Sequence, residues 1–116
     1  MAAAARGEGF AIGYGGGAQY DYAPSVGRAF VTAGAAPAGA VVANFPGVRA
    51  SMAEVVAAIE AEAPEIAGRI TYEETPLPFP AELDARALEE AIGPLPQPSL
   101  AEGIGETIER FRGPTA

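Results

Sequence analysis

Met52, Val55, Val56 and Ile59 are spaced i, i+3, i+4, i+7, which puts four apolar side chains on one face of a helix. Ser51 stands just ahead of them and Glu54 three residues after it, the two halves of a capping box, and Pro64 marks the end. The same grammar recurs near the C-terminus. Ser99 and Glu102 form a second box, Leu100, Ile104, Ile108 and Phe111 make one stripe, Arg110 and Arg112 suit the last turn, and Gly113-Pro114 stops the helix. Between the two, Asp84 is the expected N-cap of a short helix, with Leu83 and Leu88 at the staple positions. Leu88 and Ile92 share its face, and Gly93-Pro94 closes it. Ser25 is the expected cap of a helix over Val26–Ala33, with Gly34 as its stop. Ala2–Arg6 reads as a last helical turn.

Two-residue alternation marks the strands. Phe10, Ile12 and Tyr14 alternate, as do Ile70 and Tyr72 within Arg69–Glu73, and Ala40–Phe45 (AVVANF) reads as a short buried strand before a turn at Pro46-Gly47. Gly15-Gly16-Gly17 leads into an extended piece, Gln19–Tyr22, rather than a helix. A tight hairpin turn therefore fits it better than a phosphate cradle, and the G-x-G-x-x-G spacing is absent. Leu77-Pro78-Phe79-Pro80 is an extended, rigid crossing from strand to helix whose residues could line a groove. The fold class that follows is α+β, or small α/β: about four helices and three or four short strands, with no complete Rossmann sheet.

Composition narrows the function. At 116 residues the chain is one domain, spanning 1–116, and 15 Gly with 11 Pro keep its elements short. A net charge of −8 argues against nucleic acid or an anionic membrane as partner. All seven basic residues are Arg, and His, Cys and Lys are missing, which excludes Ser-His and Cys-His nucleophile systems and thiolate metal sites. No carboxylate spacing supports a metal site either. Glu60 and Glu62 belong to a solvated helix face, since nothing apolar surrounds them to raise a pKa. The uncharged run Ala29–Val48 has about the length of a membrane span, but its prolines, glycines and Asn44 break it into helix end, turn and strand. The expected location is cytoplasmic.

One stretch carries a resemblance. Leu-Asp at 83–84, a short helix ending in Ile92-Gly93, Pro94-Leu-Pro96, then Ser99-Leu-Ala-Glu-Gly-Ile104 and Thr107-Ile-Glu-Arg-Phe-Arg112 resembles the C-terminal end of extended short-chain dehydrogenases/reductases, the NAD-dependent epimerase/dehydratase family. Asp21-Tyr22 ahead of a helix, and a strand ending in Asn44 before a Gly-containing turn, continue the likeness upstream. The resemblance implies the substrate-binding part of an NAD(P)-dependent sugar or sugar-acid epimerase, dehydratase or dehydrogenase, whose start lies well inside the longer chain. It implies a carbohydrate-like small-molecule substrate, with Tyr20, Asp21 and Phe79 as candidate contacts, and a separate nucleotide-binding domain as partner. NAD or NADP would belong to that parent. This chain has no Tyr-x-x-x-Lys pair and no nucleotide-binding glycine motif, so no catalytic or cofactor residue is assigned in it. Tyr20 stands where nucleotide-sugar enzymes often carry an Arg for the diphosphate, which implies a small polyol, sugar or sugar acid instead. The competing reading is a free-standing acidic binding or interaction module. Under the first reading an uncovered apolar face makes poor stability or self-association the expectation, whereas a free-standing module would be a cooperative monomer.

Overall fold

The structure is a computed structural model, and it describes residues 1–35 and 39–114. Its elements in chain order are α1 (Ala2–Ala5), β1 (Phe10–Ile12), β2 (Gly17–Tyr20), α2 (Ala23–Gly34), β3 (Val48–Ser51), α3 (Met52–Glu62), β4 (Ile70–Tyr72), α4 (Arg86–Ile92) and α5 (Leu100–Arg112), with a 3-10 turn at Pro64–Ile66. The class is mixed α/β, as the sequence pattern requires, without a Rossmann sheet among the described residues.

The core lies between α3 and α5. Met52, Val55, Val56 and Ile59 of α3 meet Ile104 and Ile108 of α5, and Ala4, Ala50, Ala63 and Ile66 complete the cluster. Phe111, on the same stripe of α5, stays exposed. Both capping boxes form in full. The Ser51 hydroxyl accepts from Glu54 N at 3.2 Å while Glu54 Oε2 accepts from Ser51 N at 2.7 Å, and Ser99 and Glu102 repeat the pattern at 3.2 and 2.8 Å.

The box has a pH signature. Backbone hydrogen bonding from the cap residue, then the cap side chain, lowers the Glu54 and Glu102 pKa values from 4.5. A depressed folded pKa means that the stabilisation is fully present above the ordinary carboxylate range, and it is lost as pH falls through the lowered value. Ser51→Ala is expected to cost about 1 kcal/mol at neutral pH. In urea titrations it is Glu54→Gln, which keeps the Ser51 hydroxyl, that should lose its difference from the parent at pH well below 4.5. A difference that stays constant with pH counts against the box as the cause.

Three expectations are corrected. The glycine run is not a hairpin: β1 pairs in parallel with β4 (Phe10↔Ile70, Ile12↔Tyr72), while β2 pairs antiparallel with β3 (Gly17↔Ser51, Tyr20↔Val48). The glycines carry the chain from one two-stranded sheet to the other. Gly15 N donates to Thr75 O at 2.8 Å, and a Cβ on Gly15 would overlap the Glu73 carbonyl. Close backbone approach, not a turn, requires glycine there. Second, Ala40–Phe45 is neither a strand nor buried, and the strand of this region is β3, directly after the Pro46-Gly47 turn. Third, two caps are misplaced. Helix α2 begins at Ala23 with Tyr22 as N-cap and Pro24 in its first turn, so Ser25 lies inside it, buried, its hydroxyl accepting from Arg28 Nη2 at 3.1 Å. Helix α4 is preceded by Ala85, and Asp84 instead binds the Arg86 guanidinium at 2.6 Å and accepts from its backbone N–H at 3.0 Å. The Arg86 side chain, then its backbone, hold the Asp84 pKa down at about 2, on an exposed surface.

The molecule is a slab, 49 × 40 × 17 Å, with a radius of gyration of 16.2 Å. A compact domain of this length has a radius of about 13 Å. Its surface of 7395 Å² exceeds the roughly 5,900 Å² expected of a compact monomer of this mass by about 1,500 Å².

Candidate functional site

A cavity of about 400 Å³ opens where the two small sheets meet the α3–α5 core. Its walls are apolar: Phe10 and Ile12 from β1, Met52, Val55 and Ile59 from α3, Leu100 and Ile104 from α5. Three of its polar side chains come from one short stretch. Strand β2 ends at Tyr20, and the chain runs on through Asp21 and Tyr22 into α2, so Tyr20, Asp21 and Tyr22 reach the cavity in succession; Tyr14 and Thr107 join them.

The Tyr20 and Tyr22 hydroxyls are buried and make no hydrogen bond of good geometry. Each has a polar neighbour, the Tyr14 hydroxyl beside Tyr20 and the Glu106 carboxylate beside Tyr22, which offsets part of the cost of burying it. Burial raises the Tyr20 pKa, and the neighbouring Tyr14 hydroxyl adds to it. The interaction with Glu106 raises the Tyr22 pKa. A tyrosine acting as base at neutral pH needs its pKa lowered. Neither hydroxyl is shifted in the direction a base needs. Burial also raises the Asp21 pKa, and a Cβ on Gly47 would collide with the Asp21 carboxylate, so glycine there lets the carboxylate lie against the 46–47 turn.

Of the three sequence candidates, the structure brings Tyr20 and Asp21 together and leaves Phe79 apart. Phe79 is exposed, on the segment that runs beside β2, tied there by Leu83 N donating to Gln19 Oε1 at 2.8 Å, and it does not line the cavity. Sequence reasoning missed Tyr14, Tyr22 and Thr107. Tyr20 and Tyr22 are two apart in an extended stretch, the one local signal that they share a side. Tyr14 and Thr107 arrive through tertiary packing alone. Among the described residues no cluster of three or more acidic side chains is placed to hold a metal ion, and no helix is long and apolar enough to cross a membrane.

A solved structure described as "Partial Consensus L-threonine 3-dehydrogenase (E-change)" is similar to this chain, with a TM-score of 0.77 at 22% sequence identity. The two share a fold. The likeness covers 97% of this chain and 40% of that one, so this chain spans well under half the length of the dehydrogenase it matches. No protein-family model matches the chain, and no curated protein sequence matches it either.

Proposed function

We propose that this chain is the substrate-binding portion of an NAD(P)-dependent dehydrogenase or epimerase, and that it works against a nucleotide-binding unit supplied by other polypeptide. The observation that carries this reading is the fold likeness, which takes in nearly all of this chain and two-fifths of a dehydrogenase. The chain's own chemistry agrees with it: a cavity with hydrogen-bonding tyrosines and one carboxylate, no Lys and no His, binds and orients rather than reacts. NAD or NADP belongs to the other unit, since no glycine-rich phosphate loop leads into a helix here.

The substrate is a small hydroxyl-bearing molecule, a polyol, sugar or sugar acid, or a hydroxy amino acid such as the dehydrogenase relative's name implies. Tyr20 and Tyr22 would hydrogen-bond its hydroxyls, with Asp21 accepting from a donor. Phe79, which lies outside the cavity, has no part in this reading. With Tyr at position 20 there is no cation at that point for a diphosphate, and ion pairs to phosphate are among the stronger polar contacts.

The expected result is that the chain alone binds no NADH, followed by nucleotide fluorescence or calorimetry. The same chain carrying the polypeptide encoded directly ahead of residue 1 binds it saturably, and Tyr20→Phe in that longer protein raises KM more than it lowers kcat. Micromolar NADH binding by the chain alone, or none by the longer protein, overturns the reading. Low-micromolar inhibition of the longer protein by UDP or dTDP would remove the preference against nucleotide sugars.

A further inference from the structure

Three of the chain's four tyrosines, Tyr14, Tyr20 and Tyr22, line the cavity of about 400 Å³, and Phe10 of β1 adds a fourth ring. Each tyrosine is partly exposed, while the Tyr20 and Tyr22 hydroxyls are out of solvent beside Tyr14 and Glu106. What these side chains offer the cavity first is therefore ring. Charge at the cavity has one sign. Asp21 is the one charged side chain among the described residues that line it, and no arginine does. Of the arginines around Tyr22 and Glu106, Arg110 is bound by Glu106 at 2.8 Å and Arg28 donates to the Ser25 hydroxyl at 3.1 Å. Met1 lines the cavity too. In the longer protein that carries the polypeptide encoded ahead of residue 1, its nitrogen is an amide and adds no charge.

The geometry points to this cavity as the seat of an alkylated ammonium group: the end of the substrate that enters it carries a positive charge wrapped in methyl or methylene groups. This rests on the reading given under Proposed function and narrows it, selecting an ammonium-bearing alcohol over a sugar acid. Aromatic faces carry negative potential, so a cation set among several rings is held electrostatically, and more strongly where water is excluded. Asp21 supplies the counter-charge. A carboxylate or phosphate would meet that carboxylate and those ring faces with like charge and find no arginine to pair with. A primary ammonium brings three N–H donors, and the aliphatic walls from α3 and α5 offer them no acceptor, whereas N-methyl groups pack on the same walls as hydrocarbon. A neutral hydrocarbon would fill the walls equally well but leave Asp21 without a partner. The cavity has the size of a small-molecule site, and the net charge of −8 draws cations toward the surface.

Choline and 3,3-dimethylbutan-1-ol test this, because they match in shape and in their hydroxyl and differ in charge. The chain has no Lys, so its terminal amine can be acetylated selectively, which removes the ammonium at Met1 from the comparison. Titrated by calorimetry or by NMR shifts of the tyrosine rings, choline should bind the acetylated chain at least roughly tenfold tighter than the neutral alcohol. Tyr20→Phe keeps the ring and should leave choline affinity within about twofold, whereas Tyr20→Leu and Asp21→Asn should each weaken it roughly fivefold or more. Unchanged urea midpoints report that the variants are folded. Equal binding of the two probes, or none by choline, overturns the inference. So does a choline affinity that Tyr20→Leu leaves unchanged in a folded chain, and so does tighter binding of gluconate than of choline. The functional reading is judged apart from this, by NADH: saturable NADH binding in the longer protein, with no preference there for choline over the neutral alcohol, overturns this inference alone and leaves that reading standing.

Discussion

Ile108→Ala is expected to cost about 2–5 kcal/mol, a large fraction of the stability of a domain of this size. Ile108 is fully buried, at 0% exposure, and sits where α5 crosses α3. Three features put the effect at the upper end. The core is small: twelve hydrophobic residues in the described chain are buried, and five of those are alanines that have little side chain to lose or to move. Besides α3, α5 packs against α1, whose four residues are all alanine and bring no long side chain to fill the hole. Finally, domains of this size hold only about 5–15 kcal/mol in total. Phe111→Ala, on the same helix but exposed, should change stability by less than about 0.5 kcal/mol. Urea unfolding followed by circular dichroism compares the two. Equal midpoints for the two variants would mean that the α3–α5 seam is not where the stability resides.

That seam was legible in the sequence because everything that defines it is local. The i, i+3, i+4, i+7 spacing of Met52, Val55, Val56 and Ile59 and the Ser-x-x-Glu boxes at 51 and 99 each fix a helix without reference to the rest of the chain. Strand pairing is not local. Gly13–Gly17 looks the same whether it turns a hairpin or passes close under another strand, and only the arrival of Glu73 and Thr75 beside Gly15, some 60 residues later, decides between them. The cap of α2 was readable and misread. Pro24 fits a first helical turn, which already placed Ser25 inside the helix. The AVVANF segment has the composition of a buried strand, yet residues 40–44 are exposed. What it lacks is a backbone partner, and composition reports the side chains only. For the cavity, Tyr20 and Asp21 came from resemblance to a family, while Tyr14 and Thr107 needed the fold.

The chain in solution should associate as its concentration rises. The apolar groove between α2, residues 40–45 and α4, together with exposed Phe30, Val31, Val41 and Val42, forms one continuous uncovered face. Covering about 300 Å² of apolar surface on each of two copies contributes about 15 kcal/mol gross. Association costs about 4–15 kcal/mol in lost translational and rotational freedom. The balance is weak pairing in the micromolar to millimolar range rather than a tight dimer, unless a better-fitting partner is present. The like net charge of two copies opposes it only weakly at physiological salt, since the stretch from Ala29 to Val48 carries no charge. Sedimentation velocity across a hundredfold range of concentration should therefore show a rising average mass, and an apolar dye should bind the dilute chain. Val42→Asp combined with Phe30→Asp should hold the chain monomeric and abolish dye binding with little loss of stability, because both side chains are exposed in the monomer. A chain that stays monomeric at high micromolar concentration, unfolds sharply in urea and binds no dye has no face waiting for a partner, and the free-standing module then becomes the better description of it.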